Sequence, residues 1–147
     1  MKKASKSLLG LGLAASLSLS SGIAAAAGNI AVLVNDTNVK SGEEIGIKVV
    51  LNGDGVYDAY MWISGGVLGA AKLGIDGTGQ FVAWNDQAPP KLRSGIDLAT
   101  LSVKDKIINV LPKVPAAGLT GTYSLNASLS APGTVTLNPD TVQVIIE

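Results

Sequence analysis

The sequence contains no cysteine and no histidine among its 147 residues. Without cysteine the chain can form no disulfide, carries no thiol nucleophile and offers no cysteine for a lipid anchor. Without histidine, a Ser-His-Asp triad, a Cys-His dyad and a histidine-ligated zinc or copper centre are excluded. Enzymes that use a pair of carboxylates or a Ser-Lys dyad are not excluded by composition. The candidate acids and bases for such an enzyme are Asp58, Asp76 and Asp86. No other candidate site residues cluster with them in the sequence, so we predict no enzymatic activity, no metal site and no cofactor.

The first 27 residues have the pattern of a secretory signal. Three lysines within the first six residues precede an apolar run from Leu8 to Ile23, and Ala24–Ala27 supplies small residues at the −3 and −1 positions. We expect cleavage before Gly28 and a mature protein that is secreted or held at a bacterial cell surface, with the periplasm as a further location. A retained membrane anchor over Leu8 to Ala27 is the alternative, which the serines and glycines in that run disfavour.

The mature chain, Gly28 to Glu147, is expected to form one domain with a single core. Loss of Lys2, Lys3 and Lys6 leaves eight basic residues against eleven acidic ones, a formal charge of −3. The basic residues are scattered rather than clustered, so nucleic acid is not an expected partner. Cleavage would also leave no membrane span.

The mature segment is predicted to be all-β, because short apolar runs alternate with Gly, Asn, Asp and Pro. Seven strands are predicted at 30–34, 45–51, 58–64, 80–84, 106–111, 122–130 and 141–147, with a weaker one near 67–73. Residues 87–105 are predicted to form a long connection, with one helical turn over Asp97 to Leu101. Seven or eight short strands favour an antiparallel β-sandwich.

Period-two patterns assign faces to two of these strands. Ile45, Ile47, Val49 and Leu51 share one face of the second strand, which is therefore predicted to be half-buried. In the strand at 122–130, Tyr123, Leu125, Ala127 and Leu129 are predicted to point inward, while Ser124, Asn126 and Ser128 point to a solvated face.

The stretch from Gly121 to Ala127 resembles the G-x-Y-x-C-x-A motif of immunoglobulin-like domains, with Leu125 in place of the cysteine. Val49 lies thirteen residues before Trp62, close to the spacing between the first cysteine and the core tryptophan of such domains. The resemblance implies a disulfide-free core of Val49, Trp62, Tyr123 and Leu125. It also implies a tyrosine corner, in which the Tyr123 hydroxyl bonds to upstream backbone.

Three short motifs are similar to those of bacterial exported β-sandwich modules found in surface and adhesin-type proteins. They are Ser41-Gly42-Glu43 at a strand start, Asp58-Ala59-Tyr60 within a strand, and Gly121 to Tyr123 followed by Pro132-Gly133. The resemblance implies an immunoglobulin-like β-sandwich over most of residues 28–147. It implies much less about function.

The aromatic residues of the middle strand have two interpretations. If Ala59, Met61 and Ile63 face the core, then Tyr60 and Trp62 project outward together as a platform that could stack on a sugar or a protein. If the immunoglobulin-like phase holds, Trp62 is a core anchor, and this is the interpretation we favour. Trp84 lies before a proline-rich loop and is the better candidate for an exposed binding aromatic.

The two terminal strands are candidates for self-assembly because they are apolar, rich in β-branched residues and free of proline. Such strands can complete the sheet of a neighbouring molecule by strand addition. The simpler interpretation is that both strands close their own sandwich. The side chains that define them are Ile30, Val32 and Val34 in the first strand and Val142, Val144 and Ile146 in the last.

Two glycine-rich turns carry the oxygen ligands that calcium uses, at Asn52–Gly55 with Asp58 and at Asp76–Gly79. Turn chemistry alone explains these sequences, since Asn, Asp and Gly tolerate the backbone angles of tight turns. We therefore favour ordinary turns at both places, with a calcium site as the alternative.

These features predict a non-enzymatic extracellular or cell-surface module that works through protein contacts, self-association included. The alternative is a carbohydrate-binding module that uses Trp84, with Tyr60 and Trp62, to stack on a polysaccharide. Replacement of Trp84 by alanine would distinguish the two, because it should abolish polysaccharide retention only in the second case.

Overall fold

The computed structural model describes residues 27–147, apart from the side chains at 113 and 114, and this part of the chain is all-β. The predicted signal segment lies outside the described residues except for Ala27. The strands are β1 (Asn29–Val34), β2 (Asn38–Val39), β3 (Glu44–Asn52), β4 (Val56–Gly65), β5 (Lys72–Ile75), β6 (Phe81–Ala83), β7 (Arg93–Asp97), β8 (Ile107–Pro115), β9 (Gly121–Ser130) and β10 (Asp140–Ile146). Short 3-10 turns occur at Gly66–Leu68 and Lys104–Lys106.

All seven of the main predicted strands are present, with bounds that move by one to a few residues. The weaker prediction near 67–73 is wrong in its position, since a 3-10 turn occupies its start and β5 begins only at Lys72. The predicted connection over 87–105 contains β7, and residues 98–100 form a turn rather than the expected helical turn. The two-residue strand β2 was not predicted, because two residues carry no periodicity.

The strands form two sheets. Sheet A has the order β1-β3-β8, and sheet B has the order β2-β10-β9-β4-β5-β6, with β7 pairing to the first half of β4. Every pairing between strands is antiparallel except the short one between β2 and β10. Glycine makes one of the turns possible: Gly53, between β3 and β4, has a φ of 93° and lies against the carbonyl of Ala27.

One hydrophobic core lies between the two sheets. Sheet A contributes the inward side chains of β3, among them Ile47 and Val49, and sheet B contributes Met61, Leu125 and Val144. Period two explains this arrangement, since alternate residues of each strand point to the same face. Each large apolar side chain buried in this way stabilises the fold by roughly 1.5–3 kcal/mol.

The phase of β4 is the opposite of the one that the immunoglobulin-like motif implied. Ala59 and Met61 face sheet A and belong to the core, so Tyr60 and Trp62 point to the outer face of sheet B. Trp62 is thus not the inter-sheet anchor, because period two allows only one of the two sets to face inward. The other three implied core residues, Val49, Tyr123 and Leu125, do lie in the core.

The Tyr123 hydroxyl accepts a hydrogen bond from the backbone N–H of Val67 at 3.2 Å. Val67 lies in the 3-10 turn that follows β4, 56 residues upstream. The bond therefore ties the start of β9 to the end of β4, rather than closing a local corner. Gly66 makes this approach possible, since a side chain there would overlap the Tyr123 ring.

The outer face of β9 is covered, whereas its serines and asparagine predicted a solvated face. Ser128 and Ser130 accept backbone N–H bonds from Asn138 and Thr136 at 2.9 and 3.0 Å. Asn126 accepts a bond from the Thr141 hydroxyl at 2.8 Å. Segment 131–139 thus folds back over β9, and the polar side chains that it buries are hydrogen-bonded, as burial requires.

Candidate functional sites

Three of the predicted ligand-binding residues come together on the outer face of sheet B. The Trp62 and Trp84 rings lie 4.7 Å apart between centroids at an angle of 35°, and Tyr60 meets Trp84 edge-on at 6.4 Å. Tyr60 and Trp62 are buried, and only Trp84 is partly exposed. Tyr60 and Trp62 thus face outward together but do not form an exposed platform, because Trp84 covers them and is the ring that reaches solvent.

Trp84 is the first residue of a segment, 84–92, that we call the aromatic strap, and hydrogen bonds at both ends hold this segment in place. The indole N–H of Trp84 donates to Asp86 at 2.9 Å, and its backbone N–H donates to the Lys72 carbonyl at 3.1 Å. At the other end of the strap, the Leu92 N–H donates to the Ala59 carbonyl at 2.8 Å. The strap is thus fastened at both ends across the outer face of β4 and β5.

The strap fits closely because β5 carries glycine beneath it. A Cβ atom at Gly74 would overlap the Pro90 ring and would lie 3.1 Å from Cε3 of Trp84. Gly74 pairs directly with Trp62 of β4, so the bare backbone next to the tryptophan leaves the space that the strap fills. This feature could be recognised only in three dimensions, since the glycine precedes the strap by ten residues or more.

A buried carboxylate anchors the strap near its second end. Asp58 is 3 % exposed, accepts the Gly95 N–H at 2.8 Å and forms an ion pair with the Lys91 ammonium at 3.1 Å. The Gly95 N–H and, to a smaller extent, Lys91 and Ser94 hold the pKa of Asp58 below its ordinary value, against the effect of burial. A carboxylate held ionised in this way anchors the strap and is poorly suited to donate a proton.

The other two candidate acids and bases also have structural partners. One oxygen of Asp76 accepts the Thr78 hydroxyl, the Thr78 N–H and the Gln80 N–H at 2.7–3.0 Å, and these bonds, the hydroxyl first, lower the pKa of Asp76. Asp86 accepts the indole N–H of Trp84. Asp76 thus caps the turn between β5 and β6, and within residues 27–147 no three acidic side chains group as metal ligands would.

The candidate assembly strands contribute their side chains to the domain's own core. Ile30, Val32, Val144 and Ile146 are buried there, with Val34 and Val142 packed against them. β1 nevertheless stands at one edge of sheet A, with β3 as its single partner strand in the described chain. β10 is more enclosed, because β9 pairs along its length and β2 pairs with its last two residues.

An apolar cleft of about 250 Å³ opens between the sheets at the end where β4 finishes and β9 begins. Val67, Phe81 and Leu119 are exposed in its lining. The remaining lining residues are Ile45, Ile47, Ile63, Leu68, Leu73, Leu111, Tyr123, Leu125, Val144 and Ile146. Sequence reasoning missed the cleft; the apolar Val67 and Leu68 beside the turn glycines were the available signal.

No protein-family model matches the chain, and no curated protein matches it either. No helix in residues 27–147 is both long and apolar enough to cross a membrane.

Proposed function

We propose that this chain is a non-enzymatic interaction module of immunoglobulin-like β-sandwich architecture that is exported and acts through protein contacts, including self-association. Two face-to-face antiparallel sheets and the core positions of Val49, Tyr123 and Leu125 support the architecture. The engagement of Asp58, Asp76 and Asp86 in structural bonds supports a non-enzymatic role. A secreted or cell-surface location, with the periplasm as the further one, follows from the signal pattern.

The apolar cleft carries this proposal. The accessible surface of the cleft is apolar, and the hydroxyl of Tyr123 in its lining already accepts the Val67 N–H, so the cleft offers no hydrogen bond to orient a polar ligand. Apolar side chains of a protein partner need no such bond, because the backbone that carries them is already hydrogen-bonded. Large apolar side chains at the mouth of a cleft mark interaction sites more often than isolated ones do. Val67, Phe81 and Leu119 meet this description, because all three are exposed and contribute to one lining.

The test is sedimentation of the protein recovered from culture supernatant, cell envelope and periplasm. We expect a species larger than one chain, which Phe81→Asp reduces to the monomer. Val103→Asp is the matched control, because Val103 is 81 % exposed and lies outside the cleft lining. A monomer in every fraction, or equal effects of the two substitutions, would refute the proposal.

A carbohydrate-binding role is the second candidate, and the partial exposure of Trp84 is the observation that favours it. Asn85, Asp86 and Gln87 follow Trp84 in the chain and are exposed, which puts hydrogen-bonding groups next to an aromatic ring, the combination that sugar recognition uses. Retention on insoluble polysaccharides should then fall with Trp84→Ala and also with Gln87→Ala. The second change spares the strap, because the hydrogen bonds there are accepted by the Asn85 side chain and use only the backbone of Gln87. Binding that depends on neither residue would exclude this role.

A further inference from the structure

The outward edge of β1 is formed by the backbone of the three residues that the sequence singled out. In an antiparallel strand the N–H and C=O of one residue point to the same side, and the side alternates along the chain. The Asn35 N–H donates to the Gly46 carbonyl of β3 at 3.2 Å, so odd-numbered residues face β3. Ile30, Val32 and Val34 therefore direct their backbone groups away from the sheet while their side chains face the core.

One of these outward groups is already occupied. The Val32 N–H donates to the Asp140 carboxylate at 2.9 Å, and Asp140 is the first residue of β10 in the opposite sheet. A strand that added to β1 would need the same N–H for its own carbonyl. Asp140 therefore competes with any incoming strand at the centre of this edge.

The two edges of sheet A are protected in different ways. β8 has two irregularities in its pairing with β3, and it carries Pro112 and Pro115, which cannot donate hydrogen bonds. Bulges and proline are common protections against strand addition. β1 has neither feature, since its register with β3 is continuous from Asn29 to Val34. Its edge depends on the side chain of another strand for protection.

We infer that Asp140 guards the edge of β1, and that the partner for this edge is β1 of a second copy of the chain. The inference rests on the proposed self-association and names a second surface, apart from the cleft, that Asp140 keeps closed in the wild-type chain. In a two-fold symmetric dimer the same edge of each molecule meets its counterpart, so like charges on that edge would repel each other. The side chains of β1 itself, Asn-Ile-Ala-Val-Leu-Val, carry no charge, so the Asp140 carboxylate is the group that separates this edge from its copy. Antiparallel pairing of two such edges joins the two sheets A into one continuous sheet.

Introduced cysteines test this pairing, because the chain has none of its own. Leu33→Cys places a thiol on the edge strand β1, and Ile107→Cys places one on the edge strand β8 as the matched control. Leu33 and Ile107 are 50 % and 45 % exposed, so both thiols are accessible. Each cysteine is made alone and with Asp140→Ala, and a short bis-maleimide then measures the fraction of cross-linked dimer.

With Asp140→Ala we expect about a tenfold rise in the cross-linking of Leu33→Cys, the effect of freeing one hydrogen bond to a charged group. Ile107→Cys should show no rise. Asp140→Asn retains an oxygen acceptor, so cross-linking through Leu33→Cys should stay low. Circular dichroism and urea unfolding establish that each variant is folded before it is scored. If the alanine variant does not fold, Asp140→Val takes its place, since valine also lacks an acceptor for the Val32 N–H and suits a strand.

Equal cross-linking of the Leu33 thiol in wild type, Asp140→Ala and Asp140→Asn would overturn the inference, as would an equal rise at Ile107. The guarded edge and the proposed function can be tested separately. If Phe81→Asp still dissolves a wild-type assembly while Asp140 has no effect, the guarded edge is wrong and the cleft proposal stands. If the Leu33 thiol responds to Asp140 while wild type sediments as a monomer in every fraction, the edge is as inferred and the cleft proposal fails.

Discussion

Substitution of Gly74 by alanine should loosen the aromatic strap. The added methyl would overlap the Pro90 ring and press on Trp84. Overpacking of this kind costs about 1–3 kcal/mol. Alanine also recovers roughly 0.4–1 kcal/mol by restricting the unfolded chain, because no positive φ is needed at Gly74. The expected net loss in the free energy of unfolding is therefore between about 0 and 2.6 kcal/mol, centred on about 1.3 kcal/mol.

The strap should move rather than the sheet, since it is attached by weaker contacts. The Trp62–Trp84 contact is worth about 0.5–1.5 kcal/mol beyond its buried area. The ion pair from the half-exposed Lys91 contributes about 0–1 kcal/mol more. These attachments are comparable to the strain that the methyl introduces, whereas β5 is held by ladders to both β4 and β6.

Tryptophan fluorescence measures this movement directly, because Trp62 and Trp84 are the chain's two tryptophans and both lie in the cluster. We expect emission from the Gly74→Ala variant to shift to longer wavelength and the urea midpoint to fall. Gly77→Ala is the control, because a methyl there meets only ordinary contacts beyond 3.5 Å and no positive φ is needed. The reasoning is refuted if Gly74→Ala and Gly77→Ala have the same emission and the same midpoint.

Three further substitutions test the anchors and the core. The pKa of Asp58 is lower in the folded chain than its ordinary value of 3.8. The contribution of this carboxylate to the free energy of unfolding is therefore present above pH 3.8 and is lost as the pH falls below it. Asp58→Asn should cost about 1.5–3 kcal/mol at neutral pH and reduce the acid dependence of urea unfolding; an unchanged pH profile would contradict this. Tyr123→Phe removes the acceptor for the Val67 N–H and should cost about 0.5–1.5 kcal/mol in thermal unfolding, with no loss expected if the bond contributes nothing. Met61→Ala should lower the free energy of unfolding in urea by about 2–5 kcal/mol, because Met61 is fully buried. Ile145→Ala, at an exposed position, should lower it by less than about 0.5 kcal/mol. Similar costs of the two substitutions would mean that β4 faces the other way.

The strands were predictable because most of them follow period two between clear turn residues. Strand β3 is the best example, since Ile45, Ile47, Val49 and Leu51 alternate with smaller or polar residues and are all buried. Strand β7 was missed because Arg93-Ser94-Gly95-Ile96-Asp97 has the composition of a loop. It becomes a strand by pairing with the first half of β4, a tertiary effect that local propensity does not contain.

The phase of β4 was not predictable for a different reason. Tyr60 and Trp62 alternate with Ala59 and Met61, so both faces of the strand are apolar and the pattern gives no preference. The strap decides the outcome, because it buries the aromatic face from the outside and allows the smaller face to enter the core. The apolar cleft was predictable only in part. Val67 and Leu68 beside the turn glycines were a local signal, but most of the lining comes from residues far apart in the chain, on both sheets.

The position of β10 determines when the domain can finish folding. This strand lies between β9 and β2, and its first residue binds Val32, 108 positions earlier in the chain. Until residues 140–146 are available, sheet B lacks an inner strand and the two sheets lack the Asp140 tie. For a chain that crosses a membrane from its N-terminus, as we propose, the nascent domain stays incomplete while it is being threaded. Folding then waits until residues 140–146 have crossed, which keeps the segments before them in a form that the export channel can carry.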